Sequence, residues 1–244
     1  LSGDPQLKAD LLSGQDLHEM RASDLFRTTS VTKEQRRLAK ELSFQLQYGS
    51  GASGMAYKLG ISETIAKDFI NNYYARYPKI KEWQNSNIEK VKASRQLSKE
   101  RTAKGLPAGI GYLDSITKRR YTFKEYDAPE WSSLDTSFSP TEIKNHPVQG
   151  LANELQSLGI SKLHYVISSN PKLNGIALAI NTIYDATVYD CVPGVLDELC
   201  TTMYNILTNV PKDFETHFGT PFDLPLGVDI KVGKTWGTMH PHEI

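Results

Sequence analysis

The pattern of apolar and polar positions divides the chain into a helical first half and a mixed second half. Short amphipathic pieces lie near Asp16 and Asp24, and Thr32 followed by Gln35 has capping-box spacing ahead of KEQRRLAKELSFQLQYG. That pattern predicts a helix ending at Gly49, followed by a loose GSGASG stretch. Ser62 is placed to cap ISETIAKDFINNYYARY, and Pro78 suits the first turn of PKIKEWQNSNIEKVKASRQ. Residues 97–111, rich in Gly, Lys and Arg, read as a loop.

Further on, GYLDSITKRRYTF alternates about central turn residues and predicts a hairpin, with 124–139 irregular. A long helical pattern runs from PTEIKNHPVQGLANEL to LHYVISS with Pro147 inside it, where a proline removes one hydrogen bond and usually bends the helix. GIALAINTIYDATVYDCV gives two β-rich runs meeting near Asp185. PGVLDELCTTMYNILTNV reads as a helix opened by proline, and PLGVDIKVGKTW as a closing strand. The fold class is therefore α+β, with a helical subdomain ahead of a small antiparallel sheet.

Composition adds limits rather than a function. With 244 residues, 39% hydrophobic and 23% charged, the chain is ordinary globular protein, not a disordered or collagen-like one. Lys plus Arg and Asp plus Glu are 28 each, so the formal net charge is zero. The charges are nevertheless segregated. Residues 76–124 hold thirteen basic and four acidic residues, whereas 185–229 hold eight acidic residues and one lysine. One part can face a polyanion and another can gather cations. The two cysteines, Cys191 and Cys200, are too few for a disulfide framework or a cysteine zinc site. No apolar run has membrane-spanning length and the start lacks the features of a signal peptide, so a soluble, cytoplasmic protein is expected.

Candidate chemistry concentrates in one helix. Arg36, Lys40, Phe44 and Tyr48 recur at i, i+4 spacing and form one slanting stripe, two cations followed by two rings. Cations in the N-terminal half work against the helix dipole but suit a docked polyphosphate, and the rings further on suit a base and sugar. The bland alternative is a solvated basic patch followed by core aromatics.

RRLAKELSFQLQYG resembles the motif B helix of family A, polymerase I-like, DNA polymerases, in which Arg, Lys, an aromatic residue and Tyr-Gly follow one another at this spacing. The resemblance implies that Arg36 and Lys40 hold the phosphates of the incoming nucleotide, that Lys40 also acts as acid toward pyrophosphate, that Phe44 meets the sugar and base, and that Tyr48 gates the templating position. LSGDPQLKADLLSGQDLH resembles the segment following the first catalytic motif of the family and puts His18 at a nucleotide phosphate. ITKRRY resembles an arginine-rich turn beside template and primer, implicating Lys118, Arg119 and Arg120. IKNHPVQGLANEL resembles the helix that reads the minor groove of the new duplex, through Asn145 and Gln149. An Arg that the family often has four residues before that Asn is Thr141 here, which implies one duplex contact either missing or shifted to Lys144.

NTIYDATVYD resembles the motif C hairpin, with Tyr184, Asp185 and Ala186 where the family has His-Asp-Glu. Asp185 keeps the place of the essential metal ligand, Tyr184 can still reach the primer end, and Ala186 removes the second carboxylate. These departures point to a bacteriophage lineage.

The resemblance implies a right-hand polymerase fold with fingers over 1–125 and C-terminal palm over 126–244. Thumb, motif A and any exonuclease domain are expected to precede residue 1. The implied reaction is transfer of a nucleotidyl group from a dNTP to a primer 3′ hydroxyl on primer-template DNA. It uses two Mg²⁺ ions at a site that a motif A Asp of the N-terminal portion completes. The implied setting is a bacterial or phage-infected cell. Two rivals remain: a single-subunit RNA polymerase, against which Phe44 and NHPVQG argue, and a noncatalytic nucleic-acid-binding remnant, which Ala186 favours.

Overall fold

The computed structural model describes residues 1–244, which form two compact units, Leu1–Gln149 and Gly150–Ile244. The first opens with six helices whose starts follow their capping residues. Asp4 accepts the Leu7 N–H (2.9 Å) ahead of α1, Pro5–Leu12, and Asp16 accepts the His18 and Glu19 N–H groups ahead of α2, Leu17–Phe26. The Thr32–Gln35 box is formed at both of its hydrogen bonds and opens α3, Lys33–Gln47. Helix α4 is Ala52–Leu59, Ser62 caps α5, Glu63–Arg76, and α6 is Pro78–Ala93. The loose stretch expected after α3 is short. Gly49 turns the chain at φ 78° and Gly51 already caps α4, which Met55 anchors in the core.

These helices share a core of Leu42, Leu46, Met55, Ala66, Phe69, Tyr73, Tyr77 and Ile80. A buried polar clasp ties its ends together. Asp10 accepts hydrogen bonds from Arg76 Nε and Nη2 (2.8 and 2.9 Å), the Tyr77 hydroxyl (2.7 Å) and Gln6 (2.8 Å). The Arg76 bonds, aided by those from Tyr77 and Gln6, outweigh the cost of burial and lower the carboxyl pKa to about 2.

A four-stranded antiparallel sheet follows in the order β1 (Gln96–Arg101), β2 (Pro107–Asp114), β3 (Arg120–Asp127), β4 (Thr136–Phe138). The β2–β3 hairpin is the predicted one, but 97–111 is not a loop. β1 is a polar edge strand with little apolar alternation to reveal it. The glycines that gave β2 its loop-like look are packing requirements: a Cβ on Gly111 would lie 2.5 Å from the Val91 carbonyl oxygen of α6 and 3.0 Å from the Phe138 ring. Glu125 ties the sheet together. It accepts from Arg95 (2.7 and 2.9 Å), the Gly109 N–H (2.7 Å) and Thr136 (3.1 Å).

Helix α7, Pro140–Ser169, begins in the first unit and continues through Pro147 into the second. The second unit adds the hairpin β5 (Ala177–Ile183) and β6 (Ala186–Cys191), helices α8 (Leu196–Thr208) and α9 (Val210–Phe218), and a small ladder of β7 (Lys231–Val232) with β8 (His240–Pro241). Its core is Leu163, Ile167, Leu173, Ala177, Leu199 and Ile206. The expected closing strand shrinks to two residues. Helix α9, held by a Lys162–Asp213 ion pair at 2.6 Å, lies outside the predicted elements although Pro211 in its first turn and Gly219 at its left-handed cap mark its two ends.

Candidate nucleotide-binding site

Burial divides α3 into two faces. Ala39, Leu42, Ser43 and Leu46 are buried, while Arg36, Lys40, Phe44 and Tyr48 are all exposed. Phe44 and Tyr48 keep 39% and 41% of their surface in contact with solvent, so they are not core aromatics, and the solvated-patch alternative fails at its second half. Lys40 Nζ lies 5.7 Å from the Phe44 ring centre, which gives the cation a resting place beside the ring and joins the two halves of the stripe.

Helix α2 supplies the wall of the site. His18 meets Phe44 with ring centres 6.0 Å apart and planes tilted by 56°. Its Nδ1 is buried without a hydrogen-bond partner. Burial, followed by the nearby charge of Arg21, pushes the imidazole pKa down, so the ring is a neutral hydrogen-bonding group rather than a cation. Behind it, buried Arg21 donates to Ser43 Oγ (3.0 Å) and lies over the Tyr73 ring, 5.1 Å from its centre.

One residue here escaped the sequence reading as part of the site. Asp16 caps α2 through Oδ1 and takes Arg36 through Oδ2, with Nε at 2.8 Å and Nη2 also bonded. A single carboxylate thus joins the helix that carries His18 to the helix that carries Arg36. The available signal was its position two residues before His18, which reads as an ordinary cap.

At its C-terminal end the stripe meets α7. A Cβ on Gly49 would lie 2.8 Å from the Thr141 Cα, so the Tyr-Gly pair needs glycine both for its left-handed turn and for this close approach. Thr141, Asn145 and Gln149 lie at i, i+4 spacing on α7, so Asn145 shares the face of Thr141 and the nucleotide stripe leads onto the polar one. Asn145 is half-buried and Gln149 exposed. Lys144 is partly withdrawn from solvent, and burial, with Lys81 nearby, lowers its pKa.

The basic turn between β2 and β3 holds Lys118 at φ 65°. Arg119 lies over Tyr121, and Arg120 pairs with Asp114 (2.7 and 2.9 Å) while covering the Tyr112 ring. In the second unit Tyr184, at φ 51° and 93% exposed, and Asp185 form the tip of the β5–β6 hairpin.

No group of three or more His, Cys, Asp or Glu side chains converges as a metal site. Asp4 caps α1 and also accepts the Lys79 N–H (3.1 Å), Asp10 is in the clasp, and Asp16 holds Arg36. Those three early carboxylates are engaged in these contacts.

An exposed stripe of two cations followed by two rings suits a bound nucleotide, and comparison makes the class specific. Residues 1–238 match DNA polymerase family A, and the chain belongs to that family. It is 26% identical to DNA polymerase I of Chloroflexus aurantiacus over 243 residues, 99% of this chain and 23% of that protein. It is 27% identical to the thermostable DNA polymerase I of Thermus filiformis, covering 97% and 25%, and 25% identical to the DNA polymerase of Bacillus phage SP01, covering 92% and 23%. The chain therefore spans about a quarter of the length of these relatives. A solved structure, the POL domain of Pol1 from M. smegmatis in complex with DNA primer-template and dNTP, shares the fold with a TM-score of 0.68 over 93% of this chain and 35% of that one, at 23% identity. No helix is long and apolar enough to cross a membrane.

Proposed function

We propose that this chain takes part in template-directed DNA synthesis, adding nucleotides from dNTPs to a primer 3′ hydroxyl with release of pyrophosphate. The observation that carries the reading is the exposed Arg36–Lys40–Phe44–Tyr48 face of α3, in the order a triphosphate, sugar and base require. In this reading residues 1–125 are mainly fingers and 126–244 the C-terminal palm.

Arg36 and Lys40 bind the triphosphate, Lys40 gives a proton to the departing pyrophosphate, and neutral His18 hydrogen-bonds a phosphate oxygen beside them. Phe44 packs against the sugar and base, and Tyr48 acts as the gate beside the templating position. Asn145 and Gln149 hydrogen-bond the minor-groove acceptors of the new pair, Arg119 and Arg120 hold backbone phosphates, and Tyr184 steadies the primer end.

Two Mg²⁺ ions, when bound, lower the cost of forming the attacking alkoxide and of the charge on the triphosphate. Asp185 is suited to hold one of them. With Ala186 beside it and no second carboxylate converging on it, this chain's residues do not fit a complete two-metal site. The remaining ligand and the thumb are to be supplied by an N-terminal portion of the enzyme. Primer extension tests the reading. The 244 residues alone should incorporate nothing with Mg²⁺ or Mn²⁺, the polypeptide that includes the N-terminal portion should extend a primer, and Asp185→Ala should abolish that extension. Extension untouched by Asp185→Ala would show that Asp185 does not hold the metal, and a longer polypeptide that binds duplex without extending it favours the noncatalytic alternative.

A further inference from the structure

Of the four residues in the α3 stripe, Arg36 alone is tied by its side chain to a carboxylate. Asp16 Oδ2 accepts both Arg36 Nε (2.8 Å) and Arg36 Nη2. The other oxygen of the same carboxylate, Oδ1, accepts the His18 N–H (2.8 Å) and the Glu19 N–H (3.1 Å) at the start of α2. Those two backbone bonds set the orientation of the carboxylate, and α2 is in turn fixed on α3 by the Arg21–Ser43 hydrogen bond (3.0 Å) and the His18–Phe44 ring contact. Burial alone would raise the Asp16 carboxyl pKa. The hydrogen bonds from Arg36, Glu19 and His18 outweigh it and lower the pKa, so the anchor carries its negative charge.

A guanidinium carries five N–H donors in a planar fork. Asp16 takes one from Nε and one from Nη2, both with a single oxygen. The two donors on Nη1 and the second on Nη2 have no partner within the chain, and 44% of the side chain's surface is open to solvent. Three donors on a planar, permanently charged group suit the oxygens of a polyphosphate. An arginine left loose on the first turn of a helix would spread over many rotamers, and a ligand would have to order it on binding. As a surface ion pair the contact adds little to stability, since both partners are partly exposed. Its consequence lies in where it leaves the guanidinium.

We infer that Asp16 is a positioning residue for the nucleotide triphosphate: it clamps one edge of Arg36 so that the remaining three donors stand ready for phosphate oxygens. The inference rests on the reading of α3 as the nucleotide helix and adds to it a residue that does not itself touch the nucleotide. The same carboxylate fixes the backbone at His18, so the two phosphate ligands proposed on different helices, Arg36 and His18, are held in register by one group. The charge of Asp16 does not repel the triphosphate strongly, because the N-terminal end of α2 and the two N–H groups it accepts offset part of it.

Asp16→Asn separates this role from the helix cap. Asparagine caps a helix about as well as aspartate, so α2 is kept, but its amide turns a donor toward Arg36 and releases it. Asp16→Ser, also a good cap but too short to hold Arg36, should behave in the same way. Titration of the 244-residue chain with the fluorescent nucleotide mant-dATP reads binding without catalysis. Single-nucleotide extension by the polypeptide that includes the N-terminal portion reads KM and kcat. Each variant should weaken mant-dATP binding and raise the KM for dNTP about fivefold, with kcat changed less than about twofold. In an Arg36→Ala background, where there is nothing to position, the same substitutions should change binding less than about twofold. Glu63→Gln, which removes a carboxylate from an exposed ion pair on α5, should bind as the wild type does. The inference is overturned if the Asp16 variants bind as well as the wild type, or more tightly, which would mean that Asp16 competes with the triphosphate for Arg36. It is also overturned if the loss is as large without Arg36, if kcat falls while KM holds, or if the wild-type chain does not bind mant-dATP. Coupling between Asp16 and Arg36 in binding, with no extension by the longer polypeptide, sustains the inference and sinks the polymerase reading. Extension that depends on Asp185 but shows no such coupling does the reverse.

Discussion

Lys40 is the residue on which the proposed chemistry depends most directly. Its ammonium is exposed and rests beside Phe44, so removing it opens no cavity and should leave the fold intact. In the assembled enzyme Lys40→Ala should slow the chemical step by about 10²- to 10³-fold, the usual cost of losing a preorganised electrostatic contact, while duplex affinity is unchanged. Single-turnover kinetics beside duplex titration reads both, and weakened duplex binding with unchanged chemistry would show that α3 faces DNA instead. Asp10 belongs to stability rather than to chemistry. Its carboxyl pKa is lowered from 3.8 to about 2 in the fold, chiefly by the Arg76 hydrogen bonds. The folded state therefore favours the ionised form, and the contribution, about 2 kcal/mol, is present above the unfolded value and is lost as pH falls from about 4 through about 2. Asp10→Asn should lower stability near neutral pH by about that amount and flatten the acid limb of a urea-midpoint profile between those limits. An unchanged acid limb would show that other carboxylates govern acid unfolding.

Among the elements, the helices were legible because their signals are local. Thr32 and Gln35 close their box within one turn, and Ser62 and Pro78 mark starts through their own backbone preferences. Strand β1 and the start of β2 were not, because a polar edge and a glycine-bearing strand are recognisable only from their partners. That difference gives a paired expectation for glycines. Gly111→Ala drives a methyl group into a backbone carbonyl that cannot move aside, and should destabilise by about 1–3 kcal/mol. Gly54→Ala, in exposed α4 with open space around it, should stabilise by about 1 kcal/mol by limiting the unfolded chain and favouring helix. Urea midpoints of the two variants should move in opposite directions. A harmless Gly111→Ala would mean that β2 and α6 are less closely packed than described.

At the scale of the whole molecule, the β5–β6 hairpin is sparsely covered. It is a two-stranded sheet, and Leu178 and Ile180 of β5 are 54% and 60% exposed. Such a hairpin gains little from burial and has two unpaired edges. In the proposed enzyme an N-terminal portion covers it. Amide exchange in β5 and β6 should be fast in the 244-residue chain and slow severalfold or more when the N-terminal portion is present. Equal protection in both would mean that the hairpin carrying Asp185 is fully supported from within this chain.

The sequence by itself determined the stripe, the caps, the long α7 pattern and the hairpin that presents Asp185, because spacing along a helix and turn chemistry are properties of neighbouring residues. Only the tertiary structure decided which face of α3 is wet, that Asp16 links Arg36 to the His18 helix, and that Gly49 must admit Thr141 across 92 residues of chain. It also decided that Gly111 is a packing surface and that 97–111, loop-like in sequence, is mostly strand. Burial, close approach and strand pairing are set by residues far apart in sequence, and no local pattern encodes them.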